Sequence, residues 1–285
     1  MNYRHAYHAG NFADVVKHII LTRVIAYLQR KEAGFLMLDS HAGIGRYDLS
    51  SQEAGKTGEA TRGIKRFFET VGTIEADAKA LLDPYVSVVR ALNSGNAVGW
   101  APGSPEIMVR LRRQQDRCVF NELHPDDHDR LVAHYGRDRR TEVIGMDGWT
   151  ALRAKLPPPE KRGLVLIDPP FEKTSEADDL LAGLGAALKR FSTGTFLIWY
   201  PIKDARVCDR LRAGVKALDV AGALDTHLFV QAPQAGQFAG SGMIIVNPPF
   251  VLHEELQILL PLLAQVLSVE PGSGKWATHW LIEPR

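Results

Sequence analysis

Asp168-Pro169-Pro170-Phe171 closes the apolar run LVLI at 164–167. Such a run reads as a buried strand, and two successive prolines cannot extend its hydrogen-bond ladder. The chain must turn there, gathering a carboxylate, proline carbonyls and an aromatic face in a small space. A planar ring bearing an amino group could stack on Phe171 while its N–H groups meet Asp168 and the Pro169 carbonyl. Methylation of an amino nitrogen needs such a clamp, because the nitrogen must face the methyl donor in a fixed geometry. The chain carries its own control. Asn247-Pro248-Pro249-Phe250 follows MIIV at 243–246, so a Pro-Pro-Phe turn alone proves little, and position in the sheet must decide.

Other residues with chemical potential also stand where apolar runs end. LDSHAGIGRY, at 38–47, places Asp39, His41, Gly43 and Gly45 after the first run. A G-x-G loop lets the backbone approach a ligand closely, and without the third glycine of the dinucleotide fingerprint it suits a sulfonium cofactor lacking a pyrophosphate. Glu122 ends the second run, where Rossmann-like sheets bind ribose hydroxyls. Asp147, before Gly148, ends the third and can accept a bond from an adenine amino group. Singly, each is an ordinary strand-end acid. In order, G-x-G, Glu122, Asp147 and Asp168 mark the carboxyl ends of strands in an open α/β sheet, where ligands bind. Asp168, ending the fourth strand beside the first, is assigned to catalysis. Asn247, ending the last strand farther along the sheet, is assigned to structure.

Strand-like runs alternating with helical patterns imply a mostly parallel, doubly wound sheet of α/β class. Seven strands are expected, at FLMLDSH, CVFNELH, TEVIGMD, LVLID, TFLIWYP, THLFVQA and MIIVNPP. A helix over 11–31 precedes them, capped by Asn11, with Asp14 in its first turn and a buried stripe of Val16, Ile20, Val24 and Leu28 flanked by Lys17 and His18. The gap between the first two strands is too long for one crossover. Leu81, Tyr85, Val88, Val89 and Leu92 recur at helical spacing within it. The expected organisation is one domain of residues 1–49 and 101–285, with a small helical insertion at 50–100 and a mobile loop at Gly55, Lys56 and Gly58.

The 285 residues carry 34 basic and 33 acidic side chains, so any nucleic-acid surface must be local. Cys118 and Cys208 are isolated, which offers no disulfide framework or metal-spaced pair and suits a reducing cytoplasm. No run approaches membrane-span length, no G-x-S-x-G elbow supports a hydrolase, and no metal site is expected. Tyr3, Arg4, His5, Tyr7 and His8 mix rings with basic groups. That is either a frayed end or a device for phosphate contact and base stacking.

YRHAYHAGNFADVVKH, LDSHAGIGRY, PGSP at 102–105, NELHP, DGW, LIDPPFE, WYP and SGMIIVNPP follow one another over almost the whole chain. This series resembles the RlmJ family, which methylates N6 of adenine 2030 in bacterial 23S ribosomal RNA. The resemblance implies a class I methyltransferase fold with a small helical insertion, S-adenosyl-L-methionine as cofactor, and ribosomal RNA free of its proteins as substrate. It places the active-site aspartate at Asp168 and cofactor contacts at His18, His41, Ser104, Glu122, Asp147 and Gly148. Tyr3 becomes an RNA contact, with Phe171 and Pro169 holding the adenine. Phe171 stands where tyrosine is common, so stacking is kept and any hydroxyl function is lost. A monomeric, cytoplasmic enzyme is expected. The readings weighed against it are a DNA adenine-N6 methyltransferase, a protein glutamine methyltransferase, for which an NPPY-type motif is expected, and a catalytically silent RNA-binding protein of the same fold.

Overall fold

The computed structural model describes residues 4–95, 97–234 and 236–285, so Tyr3 lies outside the described residues. The chain opens with a 3-10 turn, His5–Tyr7, then α1 (Phe12–Leu28), β1 (Leu36–Asp39), β2 (Arg46–Asp48) and α2 (Gln52–Thr57). A π-helical turn, Thr61–Lys65, leads into α3 (Arg66–Thr70), and α4 (Ala76–Leu92) follows. Next come β3 (Trp100–Pro102), α5 (Ser104–Leu111), β4 (Arg117–Asn121), α6 (Pro125–Tyr135), β5 (Thr141–Ile144) and α7 (Gly148–Lys155). After these lie β6 (Gly163–Ile167), α8 (Glu176–Arg190), β7 (Thr195–Ile202) and α9 (Ala205–Lys216). The chain ends with β8 (Ala223–Phe229), β9 (Gly240–Val246), α10 (Leu252–Leu267) and β10 (Lys275–Ile282).

The main sheet runs β10-β8-β9-β7-β6-β1-β4-β5. The pairs β5/β4, β4/β1, β1/β6 and β6/β7 are parallel, while β9 runs antiparallel to both β7 and β8. A strand order that reverses between β1 and β6, with a late strand inserted backwards next to β7, is the class I methyltransferase arrangement. The sheet has eight strands rather than seven. β10, at its edge, pairs antiparallel with β8, and its half-exposed residues lack the clean alternation that betrays a strand. A separate two-stranded ribbon joins β2 to β3.

Side chains alternate across the sheet and feed two cores. Met37, Leu164 and Leu166 face the layer of α1, α4, α5 and α10, whereas Leu36, Leu38, Val165 and Ile167 face α7, α8 and α9. Among these helices, α1 is buried on every side from Ala13 to Ile25. The expected single stripe is therefore too narrow, because the sheet, α4, α5 and α10 all pack around this helix. Asn11 caps it by accepting the Asp14 N–H at 2.9 Å.

Residues 50–100 are helical and share the first core with α1 and α10. The β2–β3 ribbon closes their two ends. The segment expected as a loop at Gly55, Lys56 and Gly58 is instead α2, capped by the Ser51 hydroxyl and ended by Gly58 at φ 62°. Among the described residues no helix is long and apolar enough to cross a membrane.

Candidate active site

A cleft of about 450 Å³ opens at the carboxyl ends of β1, β4, β5 and β6, where the strand order reverses. Its floor is the turn after β1. Gly43 adopts φ 61°, a conformation other residues enter at a cost, and its N–H donates to Glu122 Oε2 at 2.8 Å. Glu122 Oε1 accepts the His124 N–H at 2.8 Å. Both oxygens are thus fixed by backbone, yet each keeps a lone pair for a hydroxyl donor. Burial raises the Glu122 pKa.

Asp39 lies beneath this loop, fully buried. It accepts the Ser104 hydroxyl at 2.5 Å and the His41 N–H at 3.1 Å. Burial pushes its carboxyl up to about 7 despite those bonds. His41 has its Nδ1 2.8 Å from Ser40 Oγ and its ring against the edge of Trp149. A Cβ on Gly148 would lie 2.7 Å from the imidazole, so the close approach of α7 needs glycine there. Burial lowers the His41 pKa to about 4 and that of His18 to about 3, so both rings are neutral in a closed, weakly polar wall. Asp147 caps α7, its Oδ2 accepting the Thr150 N–H at 2.9 Å.

Asp168, just after β6, is held from across the cleft. Lys17 Nζ donates to Asp168 Oδ2 at 2.5 Å and lies 2.9 Å from Asp14 Oδ1. The lysine is buried, which lowers its pKa, but the two carboxylates outweigh that and raise it. Asp14 also accepts the Gly10 N–H, and its Oδ2 is 2.9 Å from His5 Nε2. Despite complete burial, His5 and Lys17 hold the Asp14 pKa well below the usual carboxylate range. Among the described residues no hydrogen-bond donor meets Asp168 Oδ1. Phe171 adopts φ 50°, rare for an aromatic residue, and meets Trp199 edge-on with centroids 6.0 Å apart.

His18, His41, Ser104, Glu122, Asp147, Gly148 and Asp168 all line this one cleft. Phe171 stands beside it, half-buried, while Pro169 is buried and Pro170 forms the wall. Lys17, Asp14, His5 and Asp39 also belong here, and the sequence assigns none of them a contact with the cofactor or a hold on Asp168. The available signal was Asp14, Lys17 and His18 close together in a helix whose only other charged residue is Arg23. The cleft offers hydroxyl and amine acceptors at the ends of β4 and β5, a glycine turn after β1 and uncharged imidazoles. That donor set fits a nucleoside-bearing sulfonium.

Asn247 proves to be at the other end of the sheet altogether, not merely farther along it. β9 runs against β7, so its carboxyl end lies beside Thr195, at the start of β7. The Asn247 amide donates to the Ser192 and Gly194 carbonyls, both at 2.8 Å, and pins that turn.

The family described as "Ribosomal RNA large subunit methyltransferase D, RlmJ" matches residues 32–282. Ribosomal RNA large subunit methyltransferase J of Haemophilus influenzae is 39% identical over 284 residues, 99% of both chains. Its counterpart in Escherichia coli K12 is 38% identical over the same share. A crystal structure of a Legionella pneumophila protein, 32% identical, superposes with a TM-score of 0.88 over 95% of this chain and 98% of that one.

Proposed function

Because the chain belongs to the RlmJ family of ribosomal RNA large subunit methyltransferases, we propose that it transfers a methyl group from S-adenosyl-L-methionine to N6 of adenine 2030 in 23S ribosomal RNA. The observation that carries this is the pairing of Asp168, at the strand-order reversal, with Lys17 from α1 across the cofactor-sized cleft. When bound, the sulfonium supplies the electrophilic methyl group. Glu122 accepts the ribose hydroxyls and Asp147 the adenine amine of the cofactor, while Ser104, His18, His41 and Gly148 shape the wall.

The target adenine leaves its stack to reach this depth. Phe171 holds its face. Asp168 Oδ1 accepts one N–H and the Pro169 carbonyl the other, turning the nitrogen lone pair toward the methyl group. Lys17 positions Asp168 by holding Oδ2. Tyr3 contacts the RNA. Residues 1–49 and 101–285 act as the methyltransferase domain and 50–100 as its helical insertion, in a monomeric cytoplasmic enzyme.

Methyl-group mapping on protein-free 23S RNA, with matched DNA as competitor, tests this reading. Methylation of that adenine by the intact protein and its loss in Asp168→Ala are expected. Methylation of the DNA alone, or of another RNA position, would overturn it.

A further inference from the structure

A second groove, of about 270 Å³, has Asn11 and Phe12 of the α1 N-terminus in its wall. Phe12, Phe238, Arg62, Gln231 and Glu59 are among its walls. Four half-buried rings join it to the catalytic turn. Phe171 meets Trp199 at 6.0 Å between centroids, Trp199 meets Phe238 at 6.4 Å, and Phe238 meets Phe12 at 4.9 Å. Cations accompany this track. Lys17 Nζ is 5.8 Å from the Trp199 ring centre, and exposed Lys203 places Nζ 5.3 Å from that of Phe238. Arg62 is exposed at the groove mouth.

We propose that this groove binds the nucleotide next to the target adenine, its base stacked on Phe238 and its phosphate against Lys203 and Arg62. The inference rests on the methyl-transfer reading, since it extends the same strand by one residue along the ring track. Rings interleaved with cations suit single-stranded RNA, because every base has a face to stack and every linkage a negative charge. The groove also holds edge-reading groups. Gln237 offers an amide, while the Gln231 amide donates to the Phe238 carbonyl at 3.4 Å. Glu59 is steadied by His8 Nδ1 at 2.9 Å and by the Asn11 amide, which donates at 3.1 Å, so its carboxylate stands ready for a base amine. A flipped adenine needs its neighbours held apart from it, and a second stacking site one ring track away does that.

The test is steady-state methylation of a short RNA hairpin containing the target adenine, with each neighbouring nucleotide made abasic in turn. Phe238→Ala should raise the KM for RNA about tenfold, as for one lost base–aromatic stack, with affinity for S-adenosylhomocysteine unchanged. Phe238→Trp should retain activity, and Phe238→Leu, which keeps apolar packing for the fold, should behave like Phe238→Ala. Removing one neighbouring base should cost the intact enzyme the same tenfold and cost Phe238→Ala nothing more. Arg62→Glu with Lys203→Glu, both on the surface, should weaken RNA binding and flatten its salt dependence. Unchanged KM in Phe238→Ala, or losses that multiply with every abasic substitution, would overturn the groove assignment. If the intact enzyme leaves the unmodified hairpin and full 23S RNA unmethylated, the methyl-transfer reading itself falls.

Discussion

Asp168-Pro169-Pro170-Phe171 and Asn247-Pro248-Pro249-Phe250 differ in one residue and in almost everything else. Both follow buried strands, and each puts one residue into the left-handed region, but a different one. In the second turn it is Asn247, at φ 52°, a residue that tolerates this conformation because its short amide bonds locally. Here the amide also ties down two carbonyls. In the first it is Phe171, at φ 50°, whose bulk gains nothing locally from that backbone. The strain sets the ring against Trp199 at the mouth of the cleft. Phe250, by contrast, is 70% exposed near Tyr27. One turn holds a residue that the left-handed region disfavours, and the other holds one that it suits. Asp168 is charge-paired to a helix 151 residues away in sequence, while the second turn is held by uncharged hydrogen bonds from the Asn247 amide.

The sharpest break between the two turns is Asp168→Ala against Asn247→Ala. Loss of the oriented acid should lower kcat by at least about 100-fold, since misplacing a reacting group costs that much, with cofactor affinity retained. Asn247→Ala should keep kcat/KM within a few-fold yet lose about 1–3 kcal/mol of stability in denaturant unfolding. Asn247→Gly, free to adopt φ 52°, should lose less than the alanine variant. A collapse of activity in folded Asn247→Ala would erase the distinction.

Lys17→Met should destabilise the fold by about 3–5 kcal/mol, because it removes the ammonium between buried Asp14 and half-buried Asp168. Adding Asp168→Asn should restore part of the stability and none of the turnover. Thermal unfolding and single-turnover rates separate the two effects. Full stability in Lys17→Met would mean that the pair is not closed in solution.

Glu122→Ala and Asp147→Ala should each weaken S-adenosylhomocysteine binding by about 1–3 kcal/mol, the cost of a lost buried hydrogen bond. Calorimetry measures this directly, and unchanged affinity in both would displace the cofactor from the cleft. Phe171→Ala should raise the KM for RNA by a comparable stacking loss while sparing the cofactor, and Phe171→Tyr should stay within a few-fold of the native enzyme.

The last contrast is in pH, where two groups of the cleft act in opposite directions. The His41 pKa falls from 6.5 to about 4 on folding, so between those values the unfolded chain binds the proton first. Stability should therefore decline as pH drops from 6.5 toward 4, and His41→Asn should flatten that slope. Asp39 acts oppositely. Its rise from 3.8 to about 7 makes the folded state bind the proton first, so its share of stability is lost as pH climbs through that window. Asp39→Asn should remove that loss. Denaturant unfolding at several pH values reads both slopes, and identical slopes in both variants would detach these groups from the site.

Local rules in the sequence determined the strand ends, the α1 cap at Asn11, the helical character of 50–100 and the order of the acids along the sheet. Each depends on neighbours within a few positions, such as an apolar run, a proline or a capping side chain. Asp168, Glu122 and Asp147 are legible from the sequence alone for that reason. Only the tertiary structure decided three further things. The direction of β9, which carries Asn247 to the opposite end of the sheet, depends on how a long connection returns, and side-chain alternation is the same for either direction. The edge strand β10 exists because β8 offers it a partner, not because its own pattern demands it. The Asp14–Lys17–Asp168 chain of charges forms because α1 is buried on all sides, and a buried ammonium is stable only where folding brings carboxylates to it.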